Sequence, residues 1–531
     1  LINTIRASRA MATAPHHLAS QSALNVMRQG GNAIEAMVAA ASTISVVYPH
    51  MNSIGGDGFW LIVKPDGEVL AIDACGRASR NIDANFYLDK GLSKIPFRGP
   101  LAANTVAGTI AGWTKALEIS KSLGGKKSLN DLLGDAIYHA ENGVLVTGGQ
   151  ESITQQKLSE LKEIHGFSET FLVNGNPPKE GTTLKNTSLA KTFKMLVANG
   201  LDDFYRGELA NLIAKDLQFV GSPINLMDLN HFEAIITKPL QLEHSLGTLY
   251  NTRPPTQGLV SLIILGLLDR TDLKSRIVNS ADHVHLVVEA TKLAFRIRDS
   301  QITDPSYMKC DPQDFLKSDF LDNLHKEIQH NKAAPWGIGK GPGDTVWMGT
   351  CDSTGLSVSF IQSIYHEYGS GIVLPTTGIN WQNRGASFSL DANHINYLVP
   401  GKKPFHTLNP AAARFKDGRT MVYGNMGGDG QPQSQAAVFT RYAVFNKPLQ
   451  ESVSAPRWLL GRTWGQSSDS LKLESRFDEK IIKDLQSRGH ETEIMQAFDS
   501  VLGHAGAIVR HPDSSLEGAT DPRADGVVAA F

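Results

Sequence analysis

The stretch HNKAAPWGIGKGPGD (330–344) limits what this chain can fold into more than any other. Its last ten residues hold four glycines and two prolines. Glycine loses the most backbone freedom on ordering, and proline has no amide N–H to donate, so no helix or inner strand can run through it. The stretch ends abruptly at Thr345, where a β pattern begins. TVWMGTCD reads as a strand, STG as a turn and LSVSFIQ as the returning strand. A flexible, accessible loop therefore delivers a threonine to the head of a strand hairpin. The plainer reading of the same residues is a linker joining two halves of the chain.

The rest reads as one continuous α/β pattern. Residues 19–46 form two helical pieces divided at the turn Gly30, Gly31, Asn32. After the glycine cluster GGDG (55–58), FWLIVKP and EVLAID flank the turn PDG, which is a hairpin signature. Residues 110–220 carry helical periodicity. NSADHVHLVVEATKLAFRIRD (279–299) is a long amphipathic helix with Ser280 or Asp282 as its cap. No repeat and no low-complexity tract appears. At 531 residues, length alone points to three or four domains of about 150 residues each.

Composition excludes several classes. Lys+Arg is 51 and Asp+Glu is 53, mixed along the chain, which argues against a nucleic-acid binder working through bulk charge. Cys75, Cys310 and Cys351 are far apart, so neither a disulfide framework nor a cysteine zinc site is expected. The apolar runs AMVAAASTISVV (36–47) and LVSLIILGLL (259–268) are too short to span a bilayer, and no membrane association is expected. The N-terminal residues are basic without an apolar core, unlike a secretory signal. The expected compartment is the cytoplasm, or the periplasm if an upstream signal has been removed.

Three chemistries fail on the residues. GIGKGPGD resembles a P-loop, but Lys340 is followed by Gly341 and then by a strand rather than a helix. No GxSxG elbow occurs. His283 and His285 with Glu289 could be imagined around a metal, but positions i and i+2 of a helix point to different faces. Ordinary packing or hydrogen bonding accounts for them, and equally for His16 and His17. No metal and no cofactor is expected.

A fourth chemistry fits. A threonine hydroxyl is a poor nucleophile without an adjacent base. A cut between Asp344 and Thr345 would give Thr345 a free α-amine, with a reference pKa of roughly 7.7–8.0, placed to take a proton near neutral pH. Gly427 and Gly428, between the strand RTMVYG and a helical run, could aim two backbone N–H groups at one oxyanion, although a tight turn explains them equally well.

These residues lie in a chain that resembles the γ-glutamyltranspeptidase family of N-terminal nucleophile hydrolases along essentially its whole length. The matching blocks, in order, are ASQSALNVMRQGGNAIEAMVAAASTISVVYPHMNSIGGDGF (19–59), RPPTQG (253–258), SADHVHLVVEATKLAFRIRDS (280–300), DP (304–305), YGSGI (368–372), MGGDGQPQ (426–433) and EGATDPRADG (517–526). The resemblance implies an α+β fold, a four-layer αββα sandwich, replacing the estimate of several domains. It implies self-cleavage into a large subunit, 1–344, and a small subunit, 345–531, that stay associated as one αββα unit. A dimer of such units is compatible with it. It places Thr345 as nucleophile, Gly427 and Gly428 as the oxyanion pair, and Ser363 as the hydroxyl residue beside the nucleophile.

The departures from the family shape the expected substrate. Transpeptidases of the family usually begin the small subunit Thr-Thr-His, whereas this chain has Thr345, Val346, Trp347. Their acidic ammonium clamp falls on Ser387, an amide-bearing position on Arg384, an asparagine on Tyr365, and a serine pair on His406 and Thr407. The groups that would grip an amino-acid zwitterion are mostly gone and a cation has appeared. WQNRGASFSLD (381–391) with HTLNP (406–410) resembles the oxamate amidohydrolase-like branch. The implied function is hydrolysis of a small carboxylate-bearing amide such as oxamate to oxalate and ammonia. Arg384 would hold the carboxylate as a bidentate pair. Arg77 and Arg80 lie near where relatives place another carboxylate-binding arginine. The alternatives are a γ-glutamyltransferase or glutathione hydrolase, and an unprocessed, non-catalytic binding or scaffold homologue.

Overall fold

The computed structural model describes residues 3–337, 344–462 and 468–531. Part of the Gly/Pro-rich stretch, residues 338–343, therefore lies outside the described residues. Two seven-stranded sheets dominate. The first runs Val527–Ala530, Met11–Ala14, Asp344–Cys351, Ser357–Tyr365, Asp57–Val63, Val69–Ala74 and Ile235–Thr237. The second runs Ile5–Ala7, Leu516–Thr520, Ala505–Arg510, Thr420–Asn425, Ala411–Phe415, Gly247–Asn251 and Leu240–His244. Every pairing between neighbours in both sheets is antiparallel.

Three apolar layers hold the sandwich together. Between the sheets, Met11, Leu61, Val63, Ala71 and Cys351 of the first meet Tyr250, Ala412, Val422, Ile508 and Leu516 of the second. The helices His17–Arg28, Ala33–Val47 and Thr109–Ser122 cover the outer face of the first sheet. Gly258–Leu268, Ala281–Gln301 and Gly430–Phe439 cover the second. This is the expected αββα order. A small sheet of Trp458–Leu460, Leu471–Glu474 and Thr492–Met495, with no counterpart in the sequence reading, packs beside it.

Local chemistry explains the elements that position the site. The turn at Gly30–Asn32 divides the first two helices because Asn32 caps the second. Its side chain accepts from the Ile34 and Glu35 amides while Glu35 reaches back to the Asn32 amide. All fifteen residues of Ala33–Val47 are buried, which suits a run of small and apolar side chains with no polar face. Thr350 Oγ1 donates to Ala33 O at 2.8 Å and Asp352 Oδ2 accepts from Ala33 N at 2.9 Å, fastening this helix to the strand Asp344–Cys351. The long helix begins at Ala281 with Ser280, not Asp282, as its cap.

The apolar runs 36–47 and 259–268 are buried helices. No helix among the described residues is long and apolar enough to cross a membrane. Both sheets contain strands from each side of the Asp344–Thr345 bond. Fragments 1–344 and 345–531 would therefore share two hydrogen-bonded sheets.

Candidate active site

Thr345 is the second residue of the strand Asp344–Cys351 and is fully buried. The ladder to Ser357–Tyr365 is irregular at this point. Asp344 opposes Tyr365 and Val346 opposes Gln362, so Thr345 faces the extra residue of a bulge formed by Ser363 and Ile364. A bulge of this kind re-aims side chains out of the regular pleat. Beyond it Tyr365 has φ 83°, uncommon for a residue with a Cβ, and its amide donates to Ser363 Oγ at 2.8 Å.

Trp347 is buried between the sheets. A Cβ at Gly424 would stand 2.2 Å from its indole, and one at Gly506 2.5 Å. Glycine at both positions makes room for the ring. Its Nε1–H donates to Ser359 Oγ at 2.9 Å.

Gly427 and Gly428 follow the strand Thr420–Asn425 with φ 130° and 52°, a turn that two glycines make without strain. The helix Gly430–Phe439 starts immediately afterwards, so the turn lies at a helix N-terminus where amide N–H groups are free to point at an anion. Gln431, in the first turn of that helix, donates from Nε2 to Thr345 Oγ1 at 3.4 Å. The glycine turn and the threonine hydroxyl are thus neighbours, 86 residues apart in the chain.

Two buried polar contacts fix the turn, and sequence reasoning assigned no role to the residues that make them. Arg298 Nη1 and Asp429 Oδ1 form an ion pair at 2.8 Å with both side chains fully buried. Gln257 Nε2 donates to Gly428 O and to Thr407 O, each at 2.8 Å. Both Gln257 and Arg298 lie in blocks already singled out, RPPTQG and the long helix.

Arg384 opens the short 3₁₀ turn Arg384–Ser387 and is fully buried. Its guanidinium lies 3.9 Å from the centroid of the Tyr365 ring. Nη1 donates to Thr407 Oγ1 at 3.2 Å and Nη2 to Ser363 Oγ at 3.4 Å, while Nε has no partner among the described residues. Among the described side chains no carboxylate comes within ion-pair distance of it. Burial pulls its pKa down to about 10, which still leaves it cationic at neutral pH.

Beside it, His406 Nε2 and Asp57 Oδ2 are 2.7 Å apart and both residues are fully buried. Asp57 Oδ1 also accepts from Gly76 N at 2.9 Å, Gly108 N at 3.0 Å and Gln382 Nε2 at 3.1 Å. Distance alone would make this an ion pair, but burial opposes both charges. It pushes the Asp57 carboxyl up to about 6 and, with the Arg384 charge, holds the His406 imidazole well below its usual value. Above pH 6 the pair is a carboxylate and a neutral imidazole.

The other sequence candidates take supporting positions. Ser387 Oγ donates to Phe405 O at 3.1 Å. Arg77 donates to Gly401 O at 3.0 Å and lies 3.5 Å from Asp304, with its side chain 43% exposed. Arg80 is exposed. Neither has the sequestered guanidinium of Arg384.

Among the described residues, two sets of side chains bring three metal-type donors together, Asp57–Cys75–His406 and His285–Glu289–His490. In the first, Asp57 is already surrounded by N–H donors and Arg384 adds a nearby positive charge. The second is hydrogen-bonded internally. His285 Nδ1 meets His490 Nε2 at 2.8 Å and Glu289 accepts from Lys292 Nζ at 2.7 Å. His283 instead meets Thr440 Oγ1 at 2.9 Å, so the two histidines do serve different faces of the helix.

Two stacked antiparallel sheets between helical layers are the architecture of a hydrolase of the N-terminal nucleophile type. The family model for gamma-glutamyltranspeptidase matches residues 19–531, and the chain belongs to that family of self-processing enzymes. It is 58% identical over 522 residues, 98% of each chain, to the oxamate amidohydrolase proenzyme of Klebsiella pneumoniae subsp. pneumoniae. It is 35% identical to the glutathione hydrolase-like YwrD proenzyme of Bacillus subtilis, over 99% of each chain. Among solved structures, cephalosporin acylase from Bacillus halodurans superposes with a TM-score of 0.91 at 30% identity, covering 100% of this chain and 97% of that one.

Proposed function

We propose that the chain cuts itself between Asp344 and Thr345, and that the matured Thr345 hydrolyses a small amide bearing a carboxylate, with oxamate as the leading substrate. In the cut, Thr345 Oγ attacks the Asp344 carbonyl carbon. The amide C–N bond breaks as the ester forms, and the nitrogen becomes the Thr345 α-amine. Water then hydrolyses the ester, leaving the Asp344 carboxylate and restoring the hydroxyl. The shared sheets keep segments 1–344 and 345–531 together as large and small subunits.

In turnover the Thr345 amine takes the proton from Oγ as it attacks the amide carbonyl. The N–H groups at Gly427 and Gly428 receive the oxyanion. The C–N bond breaks, the nitrogen leaves as ammonia with the proton held by the amine, and water frees the acyl-enzyme as oxalate. Ser363 stands beside the nucleophile on the bulge and donates or accepts as the attack proceeds.

One observation carries the substrate reading: Arg384 is a fully buried cation stacked on Tyr365, with hydroxyls rather than a carboxylate as its side-chain partners. A buried charge with no carboxylate at ion-pair distance among the described side chains is costly, and a planar carboxylate fits a guanidinium edge through two parallel hydrogen bonds. Thr407 and Tyr365 contact the Arg384 guanidinium directly, Ser387 ends the turn that Arg384 opens, and His406 precedes Thr407 in the chain. Similarity to the Klebsiella oxamate amidohydrolase proenzyme agrees with this choice. The rival is γ-glutamyl hydrolysis or transfer, in line with the name of the Bacillus subtilis relative. It requires a clamp for an ammonium group, and the corresponding position carries Ser387, whose hydroxyl is engaged by Phe405 O. The test is ammonia release from oxamate set against p-nitroaniline release from γ-glutamyl-p-nitroanilide. Activity on oxamate alone supports the proposal; activity on the anilide alone replaces it with the rival.

A further inference from the structure

The Asp57–His406 pair is built more elaborately than a packing contact requires. Asp57 sits opposite Ser363 in the ladder between Asp57–Val63 and Ser357–Tyr365, so it borders the strand whose other edge carries the bulge at Thr345. Three N–H donors converge on its Oδ1, which leaves Oδ2 for His406. An ionised carboxylate only accepts hydrogen bonds, so His406 Nε2 must carry the proton. In a neutral imidazole Nδ1 is then a bare lone pair. That atom is buried and has no partner among the described residues.

The surroundings keep the ring in this state. Arg384 is the cation that acts on it most strongly, Lys403 adds a second positive charge, and Asp73, which pairs with Lys403, opposes them. The Cys75 thiol nearby is held protonated by burial. Phe59 meets the imidazole edge-on at 4.9 Å, and Thr407, the next residue, is bonded to Arg384. A basic nitrogen with no partner among the described residues is therefore fixed one residue from Thr407, the hydroxyl partner of Arg384.

We propose that Asp57 is a positioning residue that locks His406 as its Nε2–H tautomer, so that Nδ1 accepts an N–H from the substrate's amide group while Arg384 holds its carboxylate. This rests on the carboxylate-bearing amide reading above and deepens it. The pocket then reads both ends of the substrate: an anion at Arg384 and an N–H at His406. An ester of the same shape keeps the carboxylate and offers the bare nitrogen only an oxygen lone pair. A site built to pair with an N–H rejects analogues lacking it far more strongly than size alone allows.

The experiment compares oxamate with the monoethyl ester of oxalic acid in wild type, Asp57→Asn, His406→Gln and His406→Phe, reading the amide-to-ester ratio of kcat/KM. An asparagine can keep its oxygen toward the three N–H donors and turn its NH2 group to His406. Nε2 then becomes the acceptor and the proton moves to Nδ1. The ratio is expected to fall by roughly tenfold to hundredfold in Asp57→Asn, the worth of one buried hydrogen bond made or lost. Glutamine can donate to Asp57 and still present a carbonyl oxygen, so His406→Gln should keep more of the ratio than His406→Phe.

Wild type should lose the ratio as pH falls through about 6 and Asp57 takes up a proton, and Asp57→Asn should lack that limb. A wild type inactive on both compounds overturns the substrate reading and this proposal together. A wild type active on both, with an unchanged ratio in Asp57→Asn, overturns the proposal alone. Should Asp57→Asn fail to fold, equal ratios in His406→Gln and His406→Phe overturn it as well.

Discussion

The guanidinium of Arg384 rests on the face of the Tyr365 ring, 3.9 Å from its centroid, with both side chains buried. Tyr365 reaches that position from a left-handed backbone, φ 83°, at the end of the bulge that also carries Ser363. Such a conformation costs on the order of 1–3 kcal/mol and persists where surrounding structure imposes it. A desolvated cation–π contact returns about 2 kcal/mol. The contact with the ring leaves Nη1 and Nη2 to donate to the Thr407 and Ser363 hydroxyls. Thr345, Ser363 and Tyr365 are thus brought together by one irregular stretch of ladder.

Thr345→Ala should give an uncut, folded and inactive chain, because the hydroxyl serves both the acyl shift and turnover. Thr345→Ser should still process, more slowly. In wild type, denaturing gels should show fragments of roughly 37 and 20 kDa, by proportional share of the chain length. N-terminal sequencing of the smaller should read Thr-Val-Trp-Met. Wild-type turnover in Thr345→Ala would remove this residue from the mechanism.

Gln257 couples the glycine turn to Thr407, the partner of Arg384, through its bonds to Gly428 O and Thr407 O. Gln257→Ala leaves two buried carbonyls without their donor. With each such loss worth about 1–3 kcal/mol, kcat on oxamate should fall by roughly tenfold to hundredfold, and self-cleavage should slow as well. Steady-state kinetics and a time course of processing check both. A change confined to KM would place Gln257 outside the oxyanion turn's support.

Trp347 fills the space between the sheets against Gly424 and Gly506. Trp347→Ala should cost about 3–5 kcal/mol, as large-to-small changes at buried aromatic sites do. Urea unfolding of the uncut Thr345→Ala background, with and without the second change, measures it free of fragment dissociation. A cost below 1 kcal/mol would contradict the packing described.

Asp57 links pH to stability with a definite sign. Its pKa rises from 3.8 to about 6 on folding because burial disfavours the carboxylate. Its favourable contribution is therefore fully present below pH 3.8 and is lost as pH rises through about 6. Asp57→Asn removes this dependence. The urea midpoint of the variant relative to wild type should be higher at pH 8 than at pH 5, and an equal difference at the two values would argue against a raised pKa.

Much of this molecule is legible in its sequence where the signal is local. The hairpins around PDG and STG, the Ser280 cap and the Gly427–Gly428 turn all depend on residues within a few positions of one another. The cross-chain braces do not. Gln257 meets Thr407 and Gly428 across 150 and 171 residues, and Arg298 meets Asp429 across 131. Nothing in the spacing of RPPTQG says which carbonyls its glutamine will reach. Asp57 was visible only as part of a glycine cluster, since its partner His406 lies 349 residues away. Arg384, Arg77 and Arg80 are alike as letters; only burial and the presence or absence of a carboxylate neighbour separates them.

The central claim is that Arg384 binds the carboxylate of the amide that Thr345 hydrolyses. The most direct measurement is kcat/KM on oxamate for wild type, Arg384→Ala and Arg384→Lys, beside a neutral amide of similar size. Loss of a charge-assisted pair in a buried site should cost about 2–5 kcal/mol, a roughly 30- to several-thousand-fold fall on oxamate. The neutral amide should lose much less, and both variants should still cut themselves, because processing involves no substrate carboxylate. Lysine should not rescue, since its ammonium cannot hold two oxygens in one plane. Hydrolysis of oxamate by Arg384→Ala at the wild-type rate would contradict the claim and move the carboxylate site elsewhere, with Arg77 and Arg80 the next to be changed.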